Sequence, residues 1–254
     1  MRPTSSPCSP SSDAPRIASG TTGDGVRYLT ENFSYVLELT REHLSLALLP
    51  LLLGLVIAIP LGTAVRRVRW LRRTTLVIAS VAFTIPSLAL FVTVPTVVGL
   101  PILDPANVVI ALTVYSTALL VRAVPEALDA VPEDVVDSAT AMGFTPLRRA
   151  LTVELPLALP VLLANVRVVA VTNISLVSVG ALIGVGGLGE LFTKGYQRDY
   201  PEQIVAGIVA IVVLALLFDA ALYLAGRFLT PWQRGGTRRT RSRRATVELS
   251  EGPA

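Results

Sequence analysis

Five stretches of the chain are apolar for long enough to cross a bilayer as helices, with polar breaks between them. They cover approximately residues 44–65, 74–99, 107–124, 155–180 and 204–224. Ahead of the first, ENFSYVLELTREHL places Phe33, Val36, Leu37 and Leu44 near one helical face, which predicts a short helix lying in the membrane interface. Pro86 and Pro95 interrupt the second stretch, as one kinked helix or as a helix plus a half-helix, so the count is five spans, or six. Between the third and fourth stretches the pattern changes. The residues VVDSATAMGFTPLRRALTVELPLALP bring small and polar side chains, one glycine, two adjacent arginines and three prolines.

That segment is too polar to span, yet it has helical signals. Pro132 or Asp134 suits a helix start, Gly143 a helix end, and Thr145-Pro146 a second short helix that presents Arg148 and Arg149. The expected product is a compact helix–turn–helix, with Ala139, Ala141 and Met142 as an apolar knob.

Composition sharpens this into an all-α polytopic membrane protein. Of 254 residues 52% are hydrophobic and 16% charged, with mean hydropathy +0.63, whereas a soluble domain carries roughly 25% charge. The net charge of +4 and a pI near 9.6 fit arginines gathered at one membrane face better than nucleic-acid binding. VRRVRWLRR follows the first span, Arg148 and Arg149 the third, and Arg227, Arg234 and RRTRSRR the fifth; the opposite loops carry only Lys194 and Arg198. The positive-inside rule then predicts an external N-terminus and a cytoplasmic C-terminus, and puts the polar segment in the cytoplasm. Residues 1–27 read as a disordered external tail, 28–230 as the transmembrane domain and 231–254 as a basic disordered cytoplasmic tail. The first tail has no apolar core of a signal peptide, and its Cys8 is the sole cysteine.

The polar segment resembles the cytoplasmic signature of permease subunits in bacterial ATP-binding-cassette importers: Glu-Ala-Ala, three residues, Gly, nine residues, Ile-x-Leu-Pro. Asp137-Ser138-Ala139, Gly143, Val153, Leu155 and Pro156 keep that spacing, with Asp for Glu, Ser for Ala and Val for Ile. FTIPSLAL (83–90), VELPLALP (153–160) and IGVGGLGEL (183–191) extend the resemblance over most of residues 40–225, closest to permeases for glycine betaine, choline and carnitine. It implies a MetI-like transmembrane domain in the bacterial inner membrane. It also implies a coupling helix that docks on an ATPase subunit through Asp137, Ser138, Ala139, Ala141, Met142, Gly143, Phe144, Arg148 and Arg149. Further implied partners are a second permease subunit, identical or related, and an external substrate-binding protein. The chain itself takes no cofactor, ATP and magnesium belonging to the ATPase. The same architecture carrying methionine or another amino acid is the nearest alternative, and an ion-coupled secondary transporter is the alternative of another class.

Enzyme chemistry finds little support. No G-x-x-x-x-G-K-[ST] pattern occurs, and His43, the only histidine, has no ligand constellation around it. GVGGLG (184–189) satisfies G-x-G-x-x-G but follows a membrane helix rather than a strand, so a bend near the outer end of the path is the better reading.

Arg167 stands 12 residues beyond Leu155, about 18 Å into the bilayer. A charge there disfavours insertion by at least ~2.5 kcal/mol and must face the bundle or a wet cavity. Either it lines or gates the path, or it forms a structural ion pair, for which Asp219 in the fifth span is suited. Candidate path residues are Pro86, Ser87, Tyr115, Ser116, Asn165, Arg167, Thr172, Asn173, Gly184 and Gly187, some of which are expected to bond between helices instead.

Overall fold

The structure, a computed structural model, describes residues 22–232, and every regular element among them is helical. Helix α1 (Thr22–Glu31) lies against the last helix, so residues 22–27 are ordered helix and not part of a tail; the rest of the expected N-terminal tail, and the C-terminal tail from residue 233, lie outside the described residues. Helix α2 runs unbroken from Phe33 to Arg67. The short helix expected at 33–44 is therefore the first three turns of the same continuous helix as the first span. At 1.5 Å per residue α2 is about 52 Å long, well beyond ~30 Å of hydrocarbon.

The second apolar stretch is two helices, α3 (Arg69–Thr84) and α4 (Ser87–Val98), which meet at 102°. Proline at 86 forces Ile85 out of helical geometry (φ −63°, ψ 129°), and the released Ile85 carbonyl accepts the Tyr115 hydroxyl. Pro95 sits in the last turn of α4 and breaks nothing. Helix α5 (Pro105–Asp129) follows, with Asp104 Oδ1 accepting the Ala106 amide at 2.8 Å as its cap. After the polar helices α6 (Glu133–Ala141) and α7 (Pro146–Arg149) come the long α8 (Leu155–Gly180), two 3-10 turns, the short α9 (Glu190–Gln197) and α10 (Pro201–Leu229). Among the described residues four helices are long and apolar enough to cross a membrane, and the bent α3–α4 pair brings the number to five when it is counted as one broken span.

The core has two stacked layers between α2, α5 and α8. Leu51, Ala58, Leu120, Val124, Leu162 and Val166 fill the layer nearer α6, while Leu46, Phe91, Leu112, Tyr115, Ile174 and Val177 fill the other. Small residues let α2 and α5 approach: Gly54, Ala58 and Gly62 fall every fourth position on one face. A Cβ at Gly54 would come within 2.6 Å of the Ser116 Cβ, and one at Gly62 within 2.7 Å of the Val124 Cβ. By contrast, Val212, Val213, Leu216, Leu217, Leu224 and Phe228 turn α10 outward.

Candidate functional site

Glu133 and Asp134 occupy the first turn of α6, where carboxylates oppose the helix dipole. The helix ends at Gly143 (φ 81°), with the Phe144 amide donating to the Ala139 carbonyl at 3.2 Å and the Gly143 amide to the Thr140 carbonyl at 2.9 Å. Only glycine adopts that conformation without strain, and nothing lies within 4 Å of where its Cβ would be. The turn therefore offers bare backbone to an incoming surface. Beside it Met142 is 70% exposed, Leu147 68% and Leu151 57%. Asp137, Ser138, Ala141 and Arg148 are exposed too, while Phe144 is half-buried beneath the Arg148 guanidinium, 4.9 Å from its ring centroid.

Two residues expected on this surface point the other way. Ala139 is buried, on the side of α6 that packs toward α7 and the π-helical turn before α8. Arg149 turns inward: its Nε donates to Glu154 Oε1 at 2.8 Å and its Nη1 to Thr140 Oγ1 at 2.7 Å. Nor is α7 a separate helix. A π-helical turn, Ala150–Glu154, joins it directly to α8.

Glu154, 3% exposed, is the hub of an ionic belt. Its other oxygen accepts Arg66 Nη1; Arg66 Nε donates to Asp129 Oδ1 at 2.8 Å, and Arg72 Nη2 to Asp129 Oδ2 at 3.1 Å. Thr140 on α6 is thereby linked through Arg149, Glu154, Arg66, Asp129 and Arg72 to the ends of α8, α2, α5 and α3. Sequence reasoning missed Glu154, although an ionisable residue flanked by VELP and a long apolar run is itself a signal.

The candidate path residues do not line one cavity within the protomer. Ser116 and Asn173 are buried, and Asn173 Nδ2 donates to Ser116 Oγ at 2.9 Å and to the Ala47 carbonyl at 3.2 Å. That knot joins α2, α5 and α8 in mid-span, where each unsatisfied polar group would be destabilising. Tyr115 closes the α3–α4 break, edge-on to Phe83 with centroids 5.7 Å apart. Asn165 and Thr172 bond back to the Val161 and Val168 carbonyls of their own helix. Pro86 is exposed and Ser87 half-buried.

Arg167 and Asp219 form the bidentate pair, with Nε to Oδ1 at 2.8 Å and Nη2 to Oδ2 at 2.6 Å; Tyr223 lies 5.1 Å below the guanidinium. The two side chains are 31% and 34% exposed, so the pair joins α8 to α10 at the protomer surface rather than deep inside it.

GVGGLG forms the turns between α8 and α9. Gly184 is exposed, whereas Gly187 (φ 71°) packs on His43, whose Nδ1 would lie 2.9 Å from a Cβ there. His43 is fully buried, and its Nε2 donates to the Ile174 carbonyl at 2.9 Å, a tie between α2 and α8. No group of three or more metal-ligating side chains occurs among the described residues.

Known proteins share this architecture. The chain is 35% identical to the osmoprotectant import permease protein OsmW of Salmonella typhimurium (strain LT2), over 82% of this chain and 98% of that one. It is 32% identical to the choline transport system permease protein OpuBB of Bacillus subtilis (strain 168), over 81% and 94%. Two solved structures of inward-facing conformations of the MetNI methionine ABC transporter superpose with TM-score 0.68 at 26% and 28% identity; they cover 74% and 77% of this chain and 93% and 96% of theirs. Residues 51–235 match the family described as binding-protein-dependent transport system inner membrane component. A multi-pass helical bundle, an exposed glycine-ended turn tied by the ionic belt to the ends of α2, α3, α5 and α8, and that match over most of its length make this chain a member of the family, a transporter permease subunit of the inner membrane.

Proposed function

We propose that this chain is the membrane pathway of an ATP-driven importer for a small osmoprotectant such as glycine betaine, choline or carnitine. Cytoplasmic ATPase subunits, which hold the ATP and magnesium, dock on α6 and α7. A second permease subunit completes the path, and an external binding protein delivers cargo. The N-terminus is outside and the C-terminus in the cytoplasm, which puts Arg66, Arg72 and Arg149 on the positive side. The relatives' named cargoes support the substrate class.

The observation that carries the reading is the anchored turn at Gly143. An ATPase surface seated against Met142 and the Gly143 backbone closes on ATP binding and displaces α6. Because Arg149 holds Thr140 and Glu154 together, and Glu154 holds Arg66, that displacement reaches α8 and α2 together. Two packings of the spans, one open to each side, are then biased by the nucleotide state of the partner.

Substituting Gly143→Leu tests this. Nothing crowds the site, so membrane insertion and folding of the bundle persist, apart from ~1–2 kcal/mol of local strain. Co-purification of the ATPase falls, and ATP-dependent uptake into proteoliposomes is lost. Unchanged ATPase capture by this variant would refute the docking assignment. Uptake that survives ATP depletion but collapses with the proton or sodium gradient would replace the importer with a secondary transporter. The likeness to a methionine transporter favours a second cargo, and binding of methionine rather than amines by the delivery protein would select it.

A further inference from the structure

Arg122 is a second arginine within a span, and unlike Arg167 it forms no ion pair among the described residues. It stands on α5 seven residues before Asp129, about 10 Å above the ionic belt at 1.5 Å per residue. Its neighbours Val121, Ala123 and Val124 are all buried, yet Arg122 itself is exposed on the protomer surface. The side chain does not bend back toward the belt. Its Nη1 reaches sideways to Ser80 Oγ on α3 at 3.4 Å, and Ser80 lies eight residues beyond Arg72, also about 12 Å above the belt. That is its one hydrogen bond among the described residues, and it forms no ion pair with any of them. The Ser80 hydroxyl already donates to the Leu76 carbonyl at 2.8 Å, so toward the guanidinium it serves only as an acceptor.

A guanidinium has five N–H donors, and most of these are without an acceptor in the protomer. Acyl chains offer none, so a charge held at this depth faces water or a polar ligand. One turn further along the same exposed face of α5 comes Glu126, also exposed. The face therefore presents a cation, a hydroxyl and an anion within two turns, flanked by the exposed Val77, Val81 and Thr84 of α3.

We infer that Arg122, Ser80 and Glu126 form a transit site for a zwitterion, in which the guanidinium takes a carboxylate and Glu126 the quaternary ammonium. This rests on the importer reading and narrows its substrate class to amines that carry a carboxylate. In glycine betaine a single methylene separates the two poles, which fits side chains one helical turn apart. Choline has the ammonium and no carboxylate, and gains nothing from Arg122.

The test has two arms. In proteoliposomes holding the assembled importer, Arg122→Gln lowers the ratio of glycine betaine to choline uptake about tenfold, the loss of one charge-assisted hydrogen bond, and Arg122→Lys restores part of it. Equal loss of both substrates, or no loss, overturns the inference. The second arm needs no substrate. In a Cys8→Ser background, which removes the sole cysteine, Ser80→Cys is labelled faster by an anionic methanethiosulfonate than by a cationic one. Adding Arg122→Gln abolishes that preference. Absence of labelling by either reagent, or a preference indifferent to Arg122, also overturns it. If the wild-type importer moves neither amine, the cargo assignment fails by itself, and the labelling arm still decides whether Arg122 is a water-facing anion site.

Discussion

Replacing Glu154 is the most direct probe of how the cytoplasmic helices are tied to the spans. Glu154→Gln keeps the volume and removes the charge, so Arg66 Nη1 and Arg149 Nε each lose an ionic acceptor in a place that is 3% exposed. Breaking a buried pair typically destabilises by about 3–5 kcal/mol because a charge is left uncompensated. Here the effect is smaller. The Arg66 and Arg149 side chains keep 27% and 26% exposure, Arg66 retains Asp129, and Arg149 retains Thr140. A loss of about 2–3 kcal/mol follows, which in a chain of this size lowers the melting midpoint in detergent by about 5–10 °C. Function changes in a different way. The exposed turn at Gly143 is untouched, so the ATPase still docks, but the displacement of α6 is no longer passed to α2 and α8. The expected signature is continued ATP hydrolysis with several-fold fewer substrates moved per ATP. A double-mutant cycle between Glu154→Gln and Arg149→Gln should give a coupling of about 1 kcal/mol or more. A variant with an unshifted midpoint and an unchanged transport-to-hydrolysis ratio would show that the belt carries neither stability nor motion.

Two further outcomes follow from packing and pairing in the spans. Gly54→Val or Gly62→Val drives a side chain into Ser116 or Val124 at under 3 Å, and about 1–3 kcal/mol of overpacking should lower the yield of monodisperse protein; Gly226→Ala, whose Cβ has its nearest neighbour at 3.4 Å, should not. Arg167→Ala and Asp219→Ala should each impair folding or transport, because each leaves a lone charge at the protomer surface within the bilayer. The double change should be milder than either alone, measured by melting in detergent and by uptake; additive losses would mean that the two residues act separately.

Much of this architecture was readable along the chain, because in a bilayer a helix satisfies its own backbone and length plus hydropathy suffices to identify it. The span positions, the helix ends at Pro132 and Gly143 and the suitability of Asp219 for Arg167 all follow from local chemistry. So does the break at Pro86, since a proline restricts the residue before it wherever it occurs. Which side of a helix is turned to its neighbours does not follow, because apolar residues surround most of these helices and a bilayer imposes no polar face. Hence Ala139 and Arg149, adjacent in pattern to exposed residues, are turned inward where α6 packs on α7 and the π-helical turn that leads into α8. Ser116 and Asn173, polar in mid-span like any path residue, instead satisfy each other between α5 and α8, and Asn173 ties both to the Ala47 carbonyl of α2. The belt around Glu154 joins residues up to 88 positions apart, a separation over which only the folded bundle decides who meets whom.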